Sequence, residues 1–155
     1  MPDRRDTLKT LTTLTVLPTV AVAQASAPRY FTVAEVAELA IWTELMIPRT
    51  ETPGAADAGV PLLIDRACAQ NAALGEQWRA ALRWLGANAG GDRVALLERL
   101  NRESGTEGAR WFRLLKDTTI DQYYGTREGL QKELGWDANT YLPEFKGCTH
   151  PEHQK

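Results

Sequence analysis

Apolar positions recur along this chain at helical spacing, and no stretch alternates with a period of two. Thr32-Val33-Ala34-Glu35 has the form of a capping box, so a helix is expected to begin there. Val33, Val36, Ala37, Ala40, Ile41, Glu44 and Leu45 continue it, and Pro48 ends it. The segment from Ile47 to Pro61 carries Pro48, Pro53, Gly54, Asp57 and Gly59, and predicts a long shaped loop. Pro61 suits the first turn of a second helix, whose apolar face is Leu62, Leu63, Ile64, Ala67 and Cys68. Gly75 reads as a junction before a third helix, Glu76 to Gly86, with Trp78, Leu82 and Leu85 inside and Arg79 and Arg83 outside. Gly90-Gly91 breaks it, and Asp92 caps a fourth helix from Arg93 to Asn101. Thr106 and Glu107 open a fifth, which carries Trp111, Phe112, Leu114, Leu115 and Ile120 to Tyr123-Tyr124. Thr126 caps a short sixth, and from Gly135 onward the periodicity is lost. The expected fold is all-α: five or six helices in residues 26–135, then an irregular C-terminal arm over 136–155.

The first 25 residues do not belong to that domain. Arg4 and Arg5 precede a threonine-diluted apolar stretch, Leu8 to Ala23. This is too short and too polar to span a bilayer. Ala21-Val22-Ala23 and Ala23-Gln24-Ala25 both offer a small-x-small cleavage site. The pattern predicts a twin-arginine export signal, cleaved after Ala23 or Ala25, and a periplasmic destination. A plain secretory signal is the alternative, because Asp6-Thr7 stands where a stronger match has an aromatic. The folded-cargo route raises the question of what needs folding before export.

Composition removes several answers. The chain has 155 residues, with 18 basic and 20 acidic side chains. Without Met1–Ala25 the balance is 15 against 18, so no basic surface for nucleic acid is indicated. No Gly-x-Gly-x-x-Gly, phosphate loop or Cys-x-x-Cys occurs, and no cofactor site is expected in this chain. Cys148, His150 and His153 have the chemistry of zinc or copper ligands, but no fourth ligand accompanies them. Five tryptophans are many for this length. They suit either a core or a protein interface, where Trp is enriched among hot spots. Cys68 and Cys148 are the only cysteines. Pairing them would close a loop of about 80 residues and stabilise the fold by roughly 4 kcal/mol in the chain-entropy model. Alternatively Cys68 is a core thiol and Cys148 bonds a partner; spacing leaves both open.

Several segments together resemble the gluconate 2-dehydrogenase subunit 3 family. They are Glu44-Leu45-Met46-Ile47-Pro48, the loop from Pro53 to Val60, Ile64-Asp65, the run from Trp111 to Tyr124, and Gly147-Cys148. The resemblance covers nearly all of the chain after the signal. It implies a small, non-catalytic subunit of a membrane-associated sugar or sugar-acid dehydrogenase. FAD and the catalytic groups would reside in a large flavoprotein of the glucose-methanol-choline class, with a cytochrome c as electron acceptor in many complexes. The small subunit would supply the export signal for both, and membrane association would come only through the complex. No catalytic residue transfers to this chain. Pro53, Gly54, Trp111, Tyr123, Tyr124, Trp136 and Tyr141 become candidate contacts with the large subunit. A stand-alone exported binding or scaffold domain is the competing reading.

Overall fold

The computed structural model describes residues 27–136. Arg4, Arg5, Tyr141, Cys148, His150 and His153 lie outside them, as does almost all of the C-terminal arm. Five α-helices and one π-helix make up the described residues, which contain no strand. The helices are α1 (Val33–Met46), α2 (Val60–Gln70), α3 (Ala72–Asn88), α4 (Arg93–Arg102) and α5 (Glu107–Tyr124), and the π-helix is Glu128–Glu133.

Local chemistry sets most helix starts. At α1 the Thr32 side chain accepts from Glu35 N while the Glu35 carboxylate accepts from Thr32 N, which satisfies two end amides reciprocally. Asp92 and Thr106 cap α4 and α5 as expected. Thr126 Oγ1 accepts from Gly129 N at the start of the π-helix. Gly59, at φ 79°, turns the chain into α2 in a conformation that a side chain would strain, and Pro61 follows in the first turn.

The third helix corrects the sequence reading. Asn71 caps it by accepting from Leu74 N, so it starts at Ala72 and not at Glu76. Gly75 is therefore inside the helix, and it is buried. Its role is close approach: a Cβ there would collide with the Tyr30 ring. Gly86 also lies inside, since the helix continues to Asn88. Arg79 is not simply outside. It stacks on the Tyr30 ring at 4.3 Å, donates to Tyr30 O at 3.0 Å and pairs with Glu35 at 3.3 Å.

α5 is the hub, packing against α1, α2, α3, α4 and the π-helix. Gly108 lets its first turn sit directly on Trp84 and Leu100. The core contains Leu39, Trp42, Ile64, Trp78, Leu85 and Leu115, all fully buried. Trp42, Trp78 and Trp111 are thus core residues, Trp84 is half-buried against them, and Trp136 is 44 % exposed. α1 departs from the usual amphipathic pattern, because apolar side chains stand on its outer as well as its inner face, with Glu35, Glu38 and Glu44 among them. Leu39 and Trp42 face the core, while Val33 is 74 % and Ile41 43 % exposed.

Candidate functional site

Two carboxylates shape the loop between α1 and α2. Glu44 lies on the stripe of α1 that Val33, Ala37 and Ala40 otherwise make apolar. It accepts from Arg49 N at 2.8 Å and from Ala56 N at 3.0 Å, so one side chain ties both limbs of the loop. Gly54 is buried beneath it, and a Cβ there would run into the Glu44 carboxylate. Ala55 N donates to Ile47 O at 2.9 Å, and Arg49 pairs with Asp57 across the outside.

Glu133, at the end of the π-helix, holds the other side. It accepts from Tyr123 Oη at 2.6 Å and from Tyr124 Oη at 2.7 Å. Tyr123 is fully buried, and its hydroxyl also lies 2.8 Å from Pro53 O. A phenol has one proton, so Glu133 and the Pro53 carbonyl share it, with the shorter contact to Glu133. Burial, then the bond to Glu133, pushes the Tyr123 phenol up to about 12. The tyrosine bonds in turn hold the Glu133 carboxyl below its ordinary range.

The structure therefore brings Pro53, Gly54, Tyr123 and Tyr124 into one cluster. Gly54 and Tyr123 support it from inside, and the outward surface is a groove of about 630 Å³ lined by Ile47, Pro48, Thr50, Thr52, Tyr124 and Glu133. Trp111 is elsewhere. It is 8 % exposed, with Arg110 stacked on its ring at 4.6 Å, beside a separate pocket of about 340 Å³ that includes Gln77 and Leu114. Trp136 N donates to Leu130 O at 3.0 Å, which places the exposed indole just past the π-helix.

Asp65 is the residue whose task sequence reasoning missed. It is 1 % exposed on α2 and accepts three backbone amides: Arg29 N at 2.6 Å, Tyr30 N at 2.9 Å and Phe31 N at 2.8 Å. Burial alone would raise its carboxyl, but the three amides outweigh burial and hold it below the ordinary value. The available signal was a lone carboxylate between Ile64 and Cys68 on a buried helix face. Glu44 stands instead on the partly exposed stripe of Val33, Ala37 and Ala40 on α1. Cys68 is fully buried one turn along. Burial, then the Asp65 charge, pushes its thiol up to about 11, so it is a poor nucleophile at neutral pH.

Asp65, Glu44 and Glu133 are each hydrogen-bonded to backbone amides or to a neighbouring side chain. Among the described residues no cluster of three His, Cys, Asp or Glu is placed to hold a metal, and no helix is long and apolar enough to cross a membrane. The family model described as gluconate 2-dehydrogenase subunit 3 matches residues 34–143, from α1 through the π-helix and beyond. The chain belongs to that family. The match takes in the Glu44 loop, Asp65 and the Tyr123–Glu133 cluster, so the geometry above is that of a subunit 3 family member. No curated protein and no solved structure shows significant similarity to it.

Proposed function

We propose that this subunit is the non-catalytic small component of a periplasmic FAD-dependent dehydrogenase acting on a sugar, glycoside or sugar acid. It supports folding of a glucose-methanol-choline-type flavoprotein and carries that partner out of the cytoplasm on its own twin-arginine signal. FAD is bound by the partner, and a cytochrome c subunit takes the electrons. Family membership over residues 34–143 carries this reading. The buried carboxylate and thiol hold the fold together: Asp65 ties the entering chain to α2, and Cys68 packs in the core. The groove between the loop and Tyr124, with exposed Trp136 nearby in sequence, is the surface we assign to the flavoprotein.

The test is co-expression with the gene of the neighbouring large subunit, followed by fractionation. Arg4→Lys with Arg5→Lys should leave flavin-containing dehydrogenase in the cytoplasm. Normal export of the flavoprotein from the double variant would refute the escort role. A stand-alone scaffold would export by itself and fail to co-purify with any flavoprotein.

A further inference from the structure

Among the described residues the outer face of α1 carries exposed apolar side chains, and the chain that precedes it arrives at that face. Val33, Ala37 and Ala40 form one wall of an apolar groove of about 520 Å³, and Ala56, Gly59 and Leu62 belong to the other. Ala27 and Pro28 line it too, so the backbone enters the domain along this groove. The direction of entry is held by Asp65, which binds three successive amides at 29, 30 and 31. Val33 and Ile41 leave large apolar side chains exposed on α1. The residues immediately upstream are Ala21-Val22-Ala23-Gln24-Ala25-Ser26, which are small or apolar except for Gln24. Val33 to Ala40 is about 11 Å of helix at 1.5 Å per residue, and four extended residues cover that length at about 3.3 Å each.

We propose that in the uncleaved precursor Ala21–Ser26 folds back into this groove, so that the folded domain shelters its own cleavage site. The geometry favours this segment over a partner or a second copy because its attachment point is already part of the groove. A tether of so few residues gives it a high effective concentration there. Cleavage after Ala23 or Ala25 then removes the upstream part of the segment and shortens what can occupy the groove. The proposal rests on the export reading for its biological meaning, but docking is measured independently of export.

The experiment uses the purified full-length precursor carrying Cys148→Ser; Cys68 is buried and left in place. Val22→Cys paired with Ala37→Cys should form an intrachain disulfide under mild oxidation, whereas Val22→Cys paired with Arg113→Cys, an exposed position on α5, should not. Elastase, which cuts after small residues, should cleave the 21–26 segment about tenfold faster in Ala37→Glu than in the parent chain. Ala37 is exposed, so that variant keeps its core. Equal cleavage rates together with no preferential 22–37 bridge would overturn the proposal, as would a bridge that forms only between two chains. Failure of the arginine variants to retain the flavoprotein would leave this result untouched, so the two readings fail separately.

Discussion

Replacing Asp65 with Ala removes an acceptor that serves three amides at once. The Phe31 amide lies in the buried region and the other two are partly buried. If the segment stays in place, the buried amide bears an unsatisfied-donor penalty of about 1–3 kcal/mol, and each of the others loses a bond worth about 0.5–1.5 kcal/mol. If the segment lifts away instead, Phe31, now 4 % exposed, enters water at about 1.5–3 kcal/mol on top of the lost bonds. Neither route is cheap, and the better helix propensity of Ala offsets at most about 0.7 kcal/mol. The expected loss is about 3 kcal/mol, a large share of the roughly 5–15 kcal/mol that holds a domain together. Asp65→Asn keeps the shape and one acceptor but turns a donor towards an amide, so about 1–2 kcal/mol is expected. Urea unfolding followed by tryptophan fluorescence measures the loss, and hydrogen exchange at Tyr30 and Phe31 localises it. The wild-type carboxyl is depressed in the fold, so its contribution is present above the unfolded value of about 3.9 and disappears as pH falls through the lower folded value. The Ala variant should lack that acid-side loss. A loss below about 1 kcal/mol, or slow exchange retained at Tyr30 and Phe31, would refute the clamp.

Three further outcomes are expected. Gly54→Ala should displace the Glu44 carboxylate from Arg49 N and Ala56 N, cost about 1–3 kcal/mol in a urea melt and weaken co-purification of the flavoprotein. Tyr123→Phe keeps the ring and removes the hydroxyl, costing about 1–2 kcal/mol. Because the folded phenol is raised to about 12, its contribution holds below the unfolded value of about 10 and is lost as pH rises towards 12. Thermal melts across that alkaline window should therefore fall more steeply for wild type than for Tyr123→Phe, and parallel curves would contradict the assignment. Cys68 should resist alkylation at neutral pH until denaturant is added, and Cys148→Ser, not Cys68→Ala, should abolish a reducible heterodimer band on non-reducing gels.

The chain announces its helices because the interactions that start and stop them are local. Thr32 with Glu35, Asp92 with Ala95 and Thr106 with Ala109 all act across three residues, so a short window contains both partners. The apolar spacing inside α5 and the family resemblance were legible on the same terms. Gly75 misled because a glycine inside a helix has two meanings, a break or a close approach. The Tyr30 ring, 45 positions earlier, shows the close approach, while the Asn71 cap that marks the true start acts across only three residues. Asp65 and Glu133 were legible as carboxylates but not as clamps: Asp65 takes its amides 34 to 36 positions away, and Tyr123 reaches Pro53 across 70. Such partners meet only after the helices have packed, and the buried Asp65 carboxylate is tolerable only because packing supplies its donors. The sequence by itself thus determined the family and most helix boundaries, and it predicted an export segment that lies outside the described residues. The tertiary structure alone decided that Tyr123 supports the loop from within, that Cys68 is shut away, and that, among the described residues, one face of α1 carries exposed apolar side chains beside the incoming chain.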